Sequence, residues 1–375
     1  MPGLLPGVDP DGLLEYSVVY TDRALNHMSQ SFQHVMNDVS AMLKDTYNAR
    51  CAAIVPGSGT FGMEAVARQF ANGRRCLVIR NGFFSYRWSQ ILEMGRISDN
   101  VTVLQARPAS DATPAPFAPA PIEAVEQAIA EQKPEVVFAP HVETSAGMVL
   151  PEDYLRRLAS AVRAEGGLFV LDCIASGAAW IDMTDIGVDV LVSAPQKGWS
   201  GTPCCGLVML GERARDIVHD TTSTSFACDL GKWLQIMEAY EAGGHAYHAT
   251  MPTDGIRTLR QVMLETRDMG LDKAQQAQWE LGTRVRELLA SRGFASVAAD
   301  GFGAPGVVVS YTDDPDIKSG AKFAQSGLQI AAGVPLMCDE PQDFSTFRIG
   351  LFGLDKLQNV DRTADSLRTA LDKLI

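Results

Sequence analysis

Three short stretches of this 375-residue chain hold residue types that could do chemistry together. The first is PGSGTFGMEAVARQF, starting at Pro56, where an apolar strand gives way to a Gly/Ser/Thr turn and a helix opens at once. Such a turn aims free backbone N–H groups and the positive end of a helix dipole at one spot, which suits a phosphate. Ser58 and Thr60 add hydroxyl donors, with Gly59 between them. Gly57, Gly59 and Gly62 also satisfy the dinucleotide pattern G-x-G-x-x-G, and a tight turn that binds nothing is a third reading. The dinucleotide reading wants an acid at the end of the second strand, and here that strand closes Ile79-Arg80-Asn81. The second stretch, EGGLFVLDCIAS, delivers Asp172 at the end of an apolar run. Alone, such an Asp reads as well as a helix cap or a structural ion pair, because a buried carboxylate must find a partner. The third, VDVLVSAPQKGWSG, delivers Gln196 and Lys197. Alone, Lys197 is either a surface lysine or a desolvated amine able to form an imine with an aldehyde.

The combination is more specific than its parts. A phosphate turn, a strand-end Asp and a strand-end Lys on one sheet edge are what pyridoxal 5′-phosphate needs. The turn holds the phosphate, the Asp keeps the pyridine nitrogen protonated, and the Lys holds the aldehyde and moves the Cα proton.

Those residues need a sheet to position them. From Cys51 to about Leu210 the chain alternates short apolar runs with amphipathic helices. The runs are CAAIV, CLVIR, VTVLQA, EVVFAP, GLFVLD, VDVLVSA and CGLVML. Buried strands separated by helices predict a mainly parallel α/β sheet of seven strands, sandwiched by helices. Helical patterning is expected up to about residue 47, again over 61–71, where Met63, Val66, Ala67 and Phe70 share a face, and near 152–165. The Ala/Pro-rich stretch 106–121 is expected to be a surface loop. From about 254 the texture changes to long helices (254–268 and 271–291), the strand GVVVSY, a helix, a strand around FRIGLF and a last helix with Val360, Ala364, Leu367, Leu371 and Leu374 on one stripe. The expected organisation is an N-terminal arm (1–15), a large domain (16–253) and a smaller α+β domain (254–375).

Composition narrows the function. With 46% apolar and 21% charged residues the chain is an ordinary globular protein. A net charge of −13 and no Lys/Arg cluster argue against nucleic acid as a partner. Seven cysteines without a CxxC pair point to reduced thiols, hence a cytoplasmic enzyme. No signal peptide and no membrane span are expected. The histidine spacings form no metal site.

Several separate motifs over about 50–365 resemble the class V aminotransferases of fold-type I, in the alanine–glyoxylate and serine–pyruvate branch. They are PGSGTFGMEA, NGFFSYR, HVETSAGMVLP, the run from VLDCIAS to PQKGW, EAGGHAYHATMP and FRIGLFG. The resemblance implies that Ser58, Gly59 and Thr60 hold the phosphate and that Phe84 stacks on the ring, where relatives often have Trp. It implies that Thr144, with Gln196, contacts the ring hydroxyl, that Asp172 pairs with the ring nitrogen and that Lys197 forms the Schiff base. Tyr247 and Thr250 would complete the phosphate site of a partner subunit in a homodimer, and Arg348 would grip the substrate carboxylate. The implied reaction passes an amino group from a small amino acid or amine to a 2-oxo acid such as pyruvate or glyoxylate, by ping-pong kinetics. His141, His245 and His248 are expected to be structural.

The chain also departs from the pattern. Relatives often open with Gly-Pro-Gly-Pro where this one reads LLPGVDPDG; Met28 stands at an Arg position, and the loop 331–347 is unlike a typical member. These changes bear on the substrate. The rival activities are a pyridoxal-phosphate lyase or cysteine desulfurase using Cys338, a non-catalytic binding protein that keeps the fold, and a dinucleotide oxidoreductase resting on GSGTFG.

Overall fold

The computed structural model describes residues 13–374, so most of the expected N-terminal arm lies outside them. Seven strands form the main sheet: β1 (Cys51–Pro56), β2 (Cys76–Arg80), β3 (Val101–Gln105), β4 (Val136–Pro140), β5 (Leu168–Asp172), β6 (Val190–Ser193) and β7 (Cys205–Leu210). Their spatial order is β1-β7-β6-β5-β4-β2-β3. All neighbours pair in parallel except at β7, which runs antiparallel to both β1 and β6. Two reversals cancel, so β1 points the same way as β6. The loops that leave β1, β2, β4, β5 and β6 therefore open on one edge of the sheet, where open α/β sheets take their ligands.

Each of the seven apolar runs became a strand, because a strand covered by helices on both faces has no use for alternation. Helices Gln30–Tyr47, Gly59–Phe70, Ile122–Gln132 and Glu152–Ala164 cover the sheet with their apolar stripes. The helix after β1 lies very close to the sheet. A Cβ on Gly206 of β7 would stand 2.8 Å from the Gly62 backbone, so the approach needs glycine on the strand.

Two expectations are corrected. Helical patterning reached back to about residue 16, but the first helix begins at Gln30. The preceding residues prefer local side-chain bonds: Asn26 bonds Glu15 and Ser17, and Ser29 caps the helix by accepting from the Phe32 amide. The loop 106–121 is not all surface. Arg107–Pro108 pairs with Phe117–Ala118, and Phe117 is fully buried, its N–H bonded to the Val297 carbonyl.

Beyond the main sheet, strands Val307–Tyr311 and Thr346–Gly350 pair antiparallel, and Ala331–Ala332 adds an edge. Between them the expected single helix is two short ones, Pro315–Ser319 and Ala321–Gln325, split at Gly320 with φ +83°. Helices Leu271–Ser291 and Val360–Leu374 pack on this sheet, with Ala274, Leu281, Val285, Leu289, Val308, Phe347, Leu367 and Leu371 in one cluster. Ile256, Leu259 and Met263 of the helix Thr253–Met269 belong instead to the core of the main sheet. No helix among the described residues is long and apolar enough to cross a membrane.

Candidate active site

The common edge of the sheet encloses a cavity of about 170 Å³. Ser58, Gly59 and Thr60 reach it from β1, Phe84 from the helix after β2, Thr144 from the turn after β4, Asp172 from β5, and Gln196 and Lys197 from the loop after β6. Eight of the eleven residues expected at the site therefore line one space.

Gly59 is a close-approach position. A Cβ there would meet Ile174 Cδ1 at 2.7 Å and Ala194 Cβ at 3.2 Å. Ser58 opens the helix with extended backbone, and the first-turn amides of Gly59 and Thr60 have no helical carbonyl to bond, as at any helix start.

Asp172 sits between β4 and β6, in register with Pro140 and Val192. It is buried and accepts the Ile174 amide at 3.0 Å. Burial pushes its carboxyl up to about 6, with the Ile174 amide and Lys197 pulling the other way. Burial likewise holds the Lys197 amine below its ordinary value, against the attraction of Asp172 and Glu143. The Lys197 Nζ lies 5.9 Å from the centre of the Phe84 ring and 5.8 Å from that of Phe352, so two phenyl rings flank the amine.

Two buried oxygens face the cavity without a partner: Thr144 Oγ1 and Gln196 Oε1. Buried polar atoms are rarely left so. A small ring compound carrying a hydroxyl, a ring nitrogen, an aldehyde and a phosphate would satisfy both oxygens, Asp172, Lys197 and the Ser58–Thr60 turn. The residues present fit pyridoxal phosphate. A dinucleotide, with two nucleosides, needs far more room than this, and β2 ends in Arg80 rather than an acid.

Arg348 is half-buried on its strand. Its Nε donates to the Ala332 carbonyl at 2.9 Å, and its guanidinium carbon lies 5.6 Å from the centre of the Phe84 ring. It forms no ion pair among the described residues. Tyr247 and Thr250 are not among the described residues lining the cavity. They bond each other at 3.1 Å, and Tyr247 is 54% exposed. The histidines have structural partners or neighbours: His141 Nδ1 lies 2.7 Å from Ser176 Oγ, His248 Nε2 lies 2.7 Å from the Phe226 carbonyl oxygen, and His245 packs edge-on to His27. Burial lowers His141 to about 4.

Cys338 is buried, its thiol bonded to the Arg80 carbonyl at 3.4 Å and pushed up to about 12 by burial. A desulfurase nucleophile must be an accessible thiolate, and this thiol is neither. No disulfide forms among the seven cysteines and no metal-binding cluster exists among the described residues.

Three residues were not foreseen. Arg87 lines the cavity three positions after Phe84, on the same helix face. Phe352 flanks Lys197. Glu143 is wholly buried and accepts five hydrogen bonds, from the amides of Phe84 (3.2 Å), Ser85 (2.9 Å) and Ser145 (3.0 Å) and the hydroxyls of Ser85 (2.6 Å) and Ser145 (2.7 Å). The i, i+3 spacing in NGFFSYR was the available signal for Arg87; nothing in the sequence paired Glu143 with Ser85, 58 positions away.

Comparison with known proteins agrees with this geometry. The family model for class V aminotransferases matches residues 13–320. The chain is 28% identical over 362 residues to an alanine–glyoxylate aminotransferase of Oryctolagus cuniculus, covering 92% of this chain and 86% of that protein. It is 28% identical over 358 residues to a 2-aminoethylphosphonate–pyruvate transaminase of Burkholderia ambifaria, covering 94% and 89%. In fold it is similar to the crystal structure of an alanine–glyoxylate aminotransferase from Nostoc sp., with a TM-score of 0.78 and 20% identity over 93% of this chain and 88% of that one. With one lysine, one aspartate and a Gly/Ser/Thr turn gathered at the edge of a fold-type I sheet, and the family match spanning most of its length, the chain belongs to the class V aminotransferases, which depend on pyridoxal phosphate.

Proposed function

We propose that this transaminase moves the amino group of a small amino acid or amine to a 2-oxo acid such as pyruvate or glyoxylate, with Lys197 as its proton carrier. The observation that carries the reading is the gathering of Lys197, Asp172 and the Ser58–Thr60 turn around one cavity whose remaining polar atoms, Thr144 Oγ1 and Gln196 Oε1, lack partners. Pyridoxal phosphate, when bound there, supplies an aldehyde that trades for an amino group and a cationic ring that takes up electrons from Cα.

The protein does the rest. Ser58, Gly59 and Thr60 hold the phosphate, and Thr144 and Gln196 meet the ring hydroxyl. Phe84 covers the ring face. Asp172 keeps the ring nitrogen protonated, and that cation in turn stabilises an aspartate that burial disfavours. Burial holds the Lys197 amine below its ordinary value, which favours the free base that takes the substrate Cα proton. Arg348 offers a planar fork for the α-carboxylate. Tyr247 and Thr250, which are not among the described residues lining the cavity, serve the phosphate site of a second subunit. Seven free cysteines support a cytoplasmic setting.

The names of the two curated relatives support small donors and a glyoxylate or pyruvate acceptor. The test is a panel of amino acids and amines against both oxo acids. Parallel double-reciprocal lines and an isolated half-reaction with donor alone are expected. A donor that reacts only when the oxo acid is also present would refute the reading.

A further inference from the structure

Phosphate carries about −1.5 to −2 charges at neutral pH, yet the turn expected to hold it supplies only hydroxyls and amides. The dipoles and donors of the turn favour an anion but carry no net charge, and a nearby cation adds an attraction they do not supply. Of the described residues lining the cavity only Lys197 and Arg87 are cationic, and Lys197 is committed to the aldehyde. Arg87 Nη1 lies 3.4 Å from Thr60 Oγ1, inside the turn itself. Its guanidinium carbon lies over the Phe84 ring, 4.7 Å from the ring centre. No carboxylate pairs with it among the described residues. We propose that Arg87 binds the phosphate of the cofactor, supplying within one chain the permanent positive charge that the Ser58–Thr60 turn lacks.

The inference rests on the pyridoxal phosphate reading, and its test separates the two. Apoprotein is titrated with pyridoxal phosphate and with pyridoxal, which lacks only the phosphate, and binding is read by equilibrium dialysis rather than by turnover. The wild type should prefer the phosphorylated form strongly. Arg87→Gln should weaken pyridoxal phosphate by about 10- to 100-fold, the range of a charge-assisted hydrogen bond to an anion, and pyridoxal by less than about threefold. Arg87→Lys should recover most of the loss, and inorganic phosphate should compete with the cofactor less well in the Gln variant. Equal weakening of both ligands would assign Arg87 to the ring or to folding and overturn the inference. No weakening of either, with a raised KM only for doubly anionic donors, would turn the charge toward substrate and overturn it as well. Wild-type protein that binds neither ligand would instead refute the cofactor reading, and this inference with it.

Discussion

Asp172 is held ionisable in a place that resists its charge, and this sets a measurable tension. Its folded carboxyl titrates near 6 because of burial, against about 3.9 in an unfolded chain. A raised carboxyl contributes its stability below the unfolded value, and that stability drains away as pH rises through the folded one. The window is therefore about pH 4 to 6, and the loss above it amounts to about 3 kcal/mol. Asp172→Asn should thus stabilise the cofactor-free protein by up to about 3 kcal/mol at pH 8 and leave it nearly unchanged at pH 4, as read from urea midpoints. Equal effects at both pH values would refute the assignment of the shift to burial. With cofactor present the sign should reverse, because the ring cation meets the carboxylate. The Asp, the Lys and the glycine turn were legible in the sequence because each ends an apolar run and shares one chemical purpose. Glu143 and Phe352 were not, because their meaning comes from residues that only folding brings near: Ser85 for the one, Lys197 for the other.

At the scale of elements, the helix Phe83–Met94 carries both Phe84 and Arg87, and its start has no side-chain cap of its own, since Gly82 precedes it. Glu143, from the turn after β4, takes that part by accepting the amides of Phe84 and Ser85. A negative group at a helix start also meets the positive end of the dipole. Removing it strands buried donors, so Glu143→Ala should cost about 3 kcal/mol of stability, with Glu143→Gln costing less. A Glu143→Ala protein that melts with the wild type would show that the helix start is held by something else. The seven strands were readable as continuous apolar runs. The first helix was overextended because apolar spacing persists through Val18, Val19 and Leu25, while Ser17, Asn26 and Ser29 bind the backbone or one another instead. The Ala/Pro stretch hid its buried aromatic, Phe117, among residues that look like loop.

For the molecule as a whole, we propose that the two bodies divide at Gly270, not before 254, because the helix Thr253–Met269 packs into the core of the main sheet. Gly270, at φ +96°, separates it from the helix Leu271–Ser291. Leu13, Leu14, Tyr16, Val18, Phe61 and Phe226 expose large apolar surfaces, and Phe61 directly follows the Ser58–Thr60 turn. Together with the exposed Tyr247 these are surfaces that the proposed homodimer would cover. Sedimentation should show a dimer, and Tyr247→Phe should loosen cofactor binding by about 3- to 10-fold; a fully active monomer would contradict this. The central claim is that the cofactor is joined to one particular amine. Borohydride reduction of the protein with pyridoxal phosphate, followed by peptide mass analysis, tests it most directly. The account predicts one phosphopyridoxyl group per chain, on Lys197, and none in Lys197→Ala. A label on another lysine, or no label at all, would contradict it.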